Sequence, residues 1–351
     1  MNIHQKYILR CLELGKKGLG TTAPNPMVGC VVVHRDRIIG EGFTSPYGGA
    51  HAEVNAIGSV REKELLPEAS LYVSLEPCSH HGKTPPCVDL ILKHRIPEVY
   101  IGIRDPHEKV SGKGITKLEA SGCRVRVGIM EKECREHHRR FLCLHERKRP
   151  YIILKWAETQ DGFMAPDKAW RGGSPRPYWI SNGHSKQLVH KWRSEEQAIL
   201  VGTRTVLEDD PKLTVRDWAG RDPIRIVLDR ELKIPNHSHV LDGTLRTMVL
   251  TQGNILEGKG SQTTYEPMDF SGNRASQICD ILYRHSISSV LVEGGAMTLK
   301  SFIDEGLWDE ARVFRGPSRF EKGTPAPKIG GMPTKTQHIL DDTLSIYRND
   351  Q

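Results

Sequence analysis

The sequence predicts an α/β protein built as two domains. Three observations carry this: a length of 351 residues, strand-length apolar runs alternating with amphipathic helical segments in both halves, and the polar run Glu146-Arg147-Lys148-Arg149-Pro150 between them. The length exceeds one ordinary domain. Alternation of strands with helices implies sheets covered on both faces. A proline after a charged helical stretch marks a stop, so the expected domains are 1–147 and 148–351.

In the first half, apolar spacing at Tyr7, Ile8, Cys11, Leu12 and Leu14 predicts a helix over 4–18, ended by Gly15 and Gly18. Strands over 27–33 and 37–43 flank the polar connection His34-Arg35-Asp36. A helix over 52–60, a strand over 70–75, a helix over 86–94 and a strand over 98–103 follow. A helix over 113–121, a strand over 123–128 and one continuous charged helix over 131–145 complete this half. The second half restarts with a strand over 151–156 and a helix over 183–194. Further strands are expected over 198–202, 224–229, 247–251 and 289–293, with helices over 277–285 and 296–305. Residues 252–275, rich in Gly, Ser and Thr, read as loop.

Composition is globular, with 37% hydrophobic and 26% charged residues. No run of about 18 apolar residues suggests a membrane span, and the first residues lack the layout of a secretory signal, so the expected compartment is the cytoplasm. Eight cysteines suit that compartment as thiols or ligands. A net charge of +7 is compatible with a polyanion, but Arg139-Arg140 and Arg147-Lys148-Arg149 read as solvated helix ends. A site for a phosphorylated small molecule would use the same charge.

His51-Ala52-Glu53 and the stretch from Glu76-Pro77-Cys78 to Pro85-Pro86-Cys87 suggest a metal centre. One imidazole and two thiolates leave a tetrahedral zinc one open position for water, as in catalytic sites. His51 and Glu53 lie about 200° apart around an ideal helix, so they converge only at a helix start. Cys87, behind two prolines, sits at another helix start, where the positive dipole end favours thiolate. Two thiolates neutralise the dication, and a bound water becomes acidic enough to lose a proton near neutral pH. Glu53, not a ligand, would take that proton and pass it to a leaving amine. His80 and His81 are alternative ligands, and a four-ligand set would make the metal structural. This pattern resembles the zinc deaminases that act on nucleobases.

The wide spacing from Cys78 to Cys87, the insert His81-Gly82-Lys83-Thr84, the upstream Ala23-Pro24-Asn25-Pro26-Met27-Val28-Gly29 and the run from Asp105-Pro106 to Gly112-Lys113-Gly114 resemble the bifunctional riboflavin-biosynthesis deaminase/reductase family. The resemblance covers nearly the whole chain. It implies a cytidine-deaminase-like α/β/α sandwich acting on 2,5-diamino-6-ribosylamino-4(3H)-pyrimidinone 5′-phosphate, with Asn25, Lys83 and Thr84 as substrate contacts. Thr44 stands where that family often has His, and His107 where it often has Asn, which leaves the pocket around them open.

The second half lacks Gly-x-Gly-x-x-Gly, which argues against a Rossmann dinucleotide site. Val290 to Val292 instead passes through Glu293-Gly294-Gly295 into a helical segment, where free backbone N–H groups suit pyrophosphate. Lys155, Asp161-Gly162, Trp179-Ile180-Ser181, Arg193, Val201 to Leu207, Asp209-Asp210-Pro211, Leu213 to Arg216 and Glu293-Gly294-Gly295 resemble, in order, the reductase domain of that family. The resemblance implies a dihydrofolate-reductase-like fold using NADPH to reduce a ribosyl group to ribityl. It assigns Trp179, Thr205, Asp209 and the turn Gly295, Ala296, Met297, Thr298, Leu299, Lys300 and Ser301 to NADPH. Arg193, Leu213, Arg216 and Glu293 fall to substrate, the two arginines as forks for its 5′-phosphate. Lys155 would hydrogen-bond the reacting sugar. Glu158 and Arg230 stand where that family has small residues, which leaves local cofactor contacts open. The resemblance also implies pairing of two chains through the second domain. Two other readings compete: an RNA deaminase whose second half binds nucleic acid, which the 6% aromatic content and missing motifs oppose, and a deaminase with an inactive reductase domain.

Overall fold

The computed structural model describes residues 1–80, 85–107, 111–170, 176–253 and 262–349. The chain divides into two compact units, Met1–Lys148 and Arg149–Gln351.

The first unit holds α1 (Ile3–Gly15), β1 (Gly29–His34), β2 (Arg37–Phe43), α2 (Ala52–Ser59), β3 (Ser70–Leu75), α3 (Cys87–Lys93), β4 (Glu98–Ile103), α4 (Lys113–Ala120), β5 (Arg124–Val127), α5 (Glu131–His137) and α6 (Arg139–Glu146). Its five-stranded sheet runs β2-β1-β3-β4-β5. β1 is antiparallel to β2 and β3, while β3, β4 and β5 are parallel, as strands joined by helical crossovers must be. Val31, Val73, Ile101, Ile57 and Ile91 are buried between this sheet and its helices. At Gly42 a β-carbon would come within 2.5 Å of Ala52 O. Glycine there lets α2 lie directly on β2. The single charged helix expected over 131–145 is two helices, because the chain leaves helical geometry at His138 (φ −90°, ψ 9°). Burial explains the break: His138 is 1% exposed and its Nε2 lies 3.1 Å from Ser74 Oγ, so the chain bends to carry this ring inward.

The second unit holds β6 (Tyr151–Glu158), β7 (Phe163–Pro166), α7 (Gly183–Glu195), β8 (Ala198–Gly202), α8 (Thr203–Asp209), β9 (Ile224–Leu228), β10 (Thr247–Thr251), β11 (Thr263–Pro267), α9 (Arg274–Arg284), β12 (Ser289–Val292), α10 (Ala296–Asp304), β13 (Glu310–Arg315), β14 (Gly323–Pro325), β15 (Lys335–Ile339) and β16 (Asp342–Arg348). Its nine-stranded sheet runs β11-β10-β9-β8-β12-β6-β13-β16-β15, with β7 and β14 forming a separate pair. From β11 to β13 all neighbours are parallel; β16 and β15 add antiparallel. β8 shows why such strands read as unbroken apolar runs: Ala198 and Leu200 enter one core, Ile199 and Val201 the other. The expected loop over 252–275 contains β11, an edge strand pairing Thr263 with Thr247 through Tyr265 with Val249. It is only half-buried, so its sequence stays polar and the strand signal is weak. No helix among the described residues is long and apolar enough to cross a membrane.

Candidate active sites

The first site is assembled at the ends of β3, α2 and α3. His51 is the N-cap of α2, in extended geometry (φ −75°, ψ 164°), and Glu53 lies in the first helical turn. The non-helical cap brings a His and a Glu two residues apart to one side, which mid-helix geometry forbids. Asn55 fastens this helix start by donating from Nδ2 to Phe43 O at 2.7 Å and Ser45 Oγ at 3.0 Å. Cys78 follows β3 through Glu76-Pro77, and Cys87 opens α3. His51 Nδ1 lies 3.5 Å from Cys78 Sγ and 3.4 Å from Cys87 Sγ, and all three donor atoms fall within 4.8 Å of one another. Zinc bonded to nitrogen at about 2.05 Å and to sulfur at about 2.3 Å requires N···S separations of roughly 3.6 Å in a tetrahedron. The donor set therefore fits zinc. Among the described residues this is the one such cluster, and His80 is not part of it; His81 lies outside the described residues.

Electrostatics match that use. Hydrogen bonding to Cys87, aided by His51, draws the Cys78 thiol down to about 4 against its burial, and the Cys87 N–H adds a backbone bond to Cys78 Sγ at 3.3 Å. Cys78 in turn raises Cys87, as does burial. Glu53 is 4% exposed. Burial, reinforced by Cys78, pushes its carboxyl up to about 7, with His51 opposing.

Glu76 is buried beside this centre. Its carboxylate accepts four backbone N–H groups, from Asp105 at 3.2 Å, Gly112 at 3.0 Å, Gly114 at 3.0 Å and Ile115 at 3.3 Å. It caps α4 and fixes both ends of the 105–112 segment.

The second site is a cavity of about 1210 Å³ at the carboxyl ends of the second unit's parallel strands, the usual ligand position in open α/β sheets. Its floor is an ion-pair cluster. Arg193 donates from Nε and Nη2 to the two oxygens of Glu293 at 2.7 and 2.8 Å, and Lys155 Nζ lies 3.8 Å from the same carboxylate. Burial works to raise Glu293, but Arg193 and Lys155 prevail and hold it at about 2. Burial lowers Lys155 against the pull of Glu293. One wall is the turn from β12 into α10. Gly295 has φ +72°, and a β-carbon on Gly294 would meet Thr205 Oγ1 at 3.1 Å, so the turn presents bare backbone next to a helix start. That cradle suits a pyrophosphate and so fits a dinucleotide.

Residues 1–103 match the cytidine and deoxycytidylate deaminase zinc-binding region, and residues 150–338 match the RibD C-terminal domain. The riboflavin biosynthesis protein RibD of Aquifex aeolicus is 40% identical over 335 residues, 93% of this chain and 91% of its own length. The chain belongs to the RibD family. The RibD of Escherichia coli is 34% identical, over 89% of this chain and 87% of its own. The diaminohydroxyphosphoribosylaminopyrimidine deaminase/5-amino-6-(5-phosphoribosylamino)uracil reductase of Thermotoga maritima superposes with a TM-score of 0.86 at 36% identity, covering 99% of this chain and 98% of that one. RibD of Acinetobacter baumannii gives 0.87 at 29% identity, covering 98% of each chain. RibD membership makes the chain a bifunctional deaminase and reductase of riboflavin biosynthesis, with a zinc-binding deaminase domain and a reductase domain that uses NADPH. The RNA-deaminase and deaminase-only readings find no support.

Within this RibD frame, the cavity is lined by Lys155, Trp179, Arg193, Thr205, Asp209, Leu213, Arg216, Glu293, Gly295, Ala296, Met297, Thr298 and Lys300. Leu299 and Ser301, expected at the cofactor, do not line it. Leu299 is fully buried in the core and its N–H is spent on Gly295 O, while Ser301 Oγ donates to Thr298 O. They lie on the turns of α10 that face away. The fork of Arg193, expected on a 5′-phosphate, is occupied by Glu293. Arg216, exposed and bonded through Nη1 only to Thr214 Oγ1, keeps donors for an anion. Glu158 is also off the cavity, accepting from Trp156 Nε1 and Arg315, whereas Arg230 lines it. Asn25 sits in the turn before β1, with its N–H on Thr22 O. Lys83 and Thr84 lie outside the described residues. Thr44 Oγ1 accepts the Val28 N–H at 3.1 Å, so it ties β2 to the Asn25 turn. His107 packs edge-on to His145 at 4.8 Å. Sequence reasoning assigned Glu76 no role; the available signal was an acid placed two residues before a ligand.

Proposed function

We propose that the chain deaminates 2,5-diamino-6-ribosylamino-4(3H)-pyrimidinone 5′-phosphate and then, with NADPH, reduces the ribosyl group of 5-amino-6-(5-phosphoribosylamino)uracil to ribityl. The observation that carries the first step is the His51, Cys78 and Cys87 triangle of zinc dimensions with a buried non-ligand Glu53 beside it. Those three residues would hold zinc, whose chemistry when bound would be to lower the pKa of the attacking water towards neutrality. Glu53, buried beside the three donors, would take a proton from that water and return it to the departing amine. Asn25, Lys83 and Thr84 contact the substrate, a reading supported by the family motif.

In the second step the hydride belongs to NADPH, and the protein positions and polarises. The Gly295 to Thr298 turn, Thr205, Asp209 and Trp179 hold the cofactor; Lys155, Leu213, Arg216 and Glu293 hold the substrate, with Arg193 keeping Glu293 in place. Lys155 donates to the reacting sugar. Eight cysteines that suit thiols or metal ligands support a reducing cytoplasmic setting, and the family resemblance supports pairing through the second domain.

The test supplies the diaminopyrimidine phosphate to zinc-loaded protein with and without NADPH and follows products by mass. The expected result is deamination without NADPH and a gain of two hydrogens only with it. Ammonia release from RNA but not from this substrate would overturn the reading. In Glu53→Gln, deamination should fall by roughly 100- to 10,000-fold while zinc content stays unchanged; loss of zinc from that variant would make Glu53 a ligand.

A further inference from the structure

The NADPH reading leaves one part of the cavity without a role. Arg230 directly follows Asp229 at the end of β9, and Arg204 is the second residue of α8; both line the cavity together with Leu228 and Thr203. Thr203 Oγ1 donates to Leu228 O at 2.5 Å, so the two arginines project from adjacent chain ends. Among the described residues neither forms a salt bridge; Glu231 and Asp269 feel the charge of Arg230 without bonding to it. The Arg230 backbone is pinned, its carbonyl accepting Gln252 N–H at 3.0 Å and Thr251 Oγ1 at 3.1 Å. Its Nε donates to Gln252 Oε1 at 3.0 Å, which leaves both terminal nitrogens uncommitted.

The acid next to it is committed. Asp229 is 3% exposed and accepts Lys233 N–H at 3.0 Å and Ile234 N–H at 2.8 Å. It does not line the cavity, and so it is not offered to a ribose diol, the contact by which an acid at a comparable strand end of a Rossmann fold selects a nicotinamide cofactor lacking a 2′-phosphate. Position agrees with this. β8 lies between β12 and β9, so the end of β9 is two strand spacings, roughly 10 Å, from the Gly294-Gly295 cradle. A dinucleotide with its pyrophosphate on that cradle carries its adenosine ribose towards β9.

We propose that Arg230, assisted by Arg204, binds the 2′-phosphate of NADPH and sets the preference for NADPH over NADH. A planar guanidinium with two free nitrogens forks a phosphate monoester, and a ribose hydroxyl gives it no charge to meet. The inference rests on the reductase reading and specifies how its cofactor is chosen.

Calorimetric titration of the full zinc-loaded chain with adenosine 2′,5′-bisphosphate and with 5′-AMP tests it. Arg230→Ser should weaken the bisphosphate by roughly 10- to 100-fold and leave 5′-AMP unchanged. The NADPH-to-NADH ratio of kcat/KM should fall by the same factor, with Arg230→Lys recovering part of it. Equal losses for both nucleotides, or no loss for either, would overturn the role of Arg230. If the unsubstituted chain binds neither nucleotide and oxidises no NADPH, the reductase reading itself fails; if it does both while Arg230→Ser discriminates as before, only this inference fails.

Discussion

Glu293 shows how one residue couples stability to the second site. It is buried, bridged by Nε and Nη2 of Arg193 and approached by Lys155, so its charge is fixed by two cations. Its carboxyl, ordinarily at 4.5, is held at about 2. A depressed carboxyl stabilises the fold fully above its unfolded pKa, and that stability is lost as pH falls from 4.5 towards 2. Glu293→Gln leaves two buried cations without their counter-charge and should cost about 3 kcal/mol at neutral pH. Urea unfolding of parent and variant across pH checks this: the gap stays constant down to about pH 5 and narrows below 4.5, where the unfolded parent's carboxylate takes up a proton while the folded one stays ionised down to about 2. A gap that persists unchanged to pH 3 would show that the ion pair is not its source.

Among the elements, the junction of β3, α3 and α4 carries most of the deaminase geometry, and Glu76 holds it. A carboxylate offers about four lone-pair sites, and four backbone N–H groups occupy them. Glu76→Gln replaces one oxygen with an NH2 that faces N–H donors, so at least two N–H groups lose their acceptor. The expected cost is about 2 to 4 kcal/mol, read as a lower urea midpoint for zinc release. Asp105 and the Gly112 to Ile115 start of α4 are also no longer tied together, raising the deaminase KM while NADPH-dependent reduction is untouched. Unaltered zinc release and KM would mean the cap is incidental. Much of this junction was legible in the sequence. The two-residue step from His51 to Glu53 makes sense only at a helix start, and Pro86 announces the start at Cys87. What the sequence hides are contacts between distant backbone groups: nothing in Gly112-Lys113-Gly114-Ile115 announces that the amides of Gly112, Gly114 and Ile115 converge on an acid about forty positions earlier. The break at His138 is hidden likewise, because a histidine at helical spacing reads the same whether its ring meets solvent or Ser74. The family resemblance places Leu299 and Ser301 at the cofactor as part of a contiguous run, yet a helix turns successive side chains by about 100°, and neither lines the cavity.

For the whole molecule, each unit contains its own sheet, core and site residues. The zinc donors and Glu53 all fall within 1–148, and every residue lining the reductase cavity falls within 149–351. Chemistry should therefore be separable by lesion. Chelating the metal should stop deamination yet leave reduction of the deaminated phosphate by NADPH at its parent rate, since neither Lys155 nor the Gly295 turn depends on zinc. Lys155→Met should do the reverse, and it is a tolerable change because Arg193 still satisfies Glu293 through two hydrogen bonds. Mixing the Glu53→Gln and Lys155→Met proteins then tests whether the intermediate travels freely. The two together should convert the diaminopyrimidine phosphate fully to the ribityl product, after a lag in which the deaminated phosphate accumulates in solution and is visible by mass. Raising the Lys155→Met partner shortens the deamination phase, and raising the Glu53→Gln partner shortens the reduction phase. If each variant alone behaves as described but the mixture stalls at the deaminated phosphate, release and recapture are blocked, and the two sites must exchange the intermediate within one intact protein.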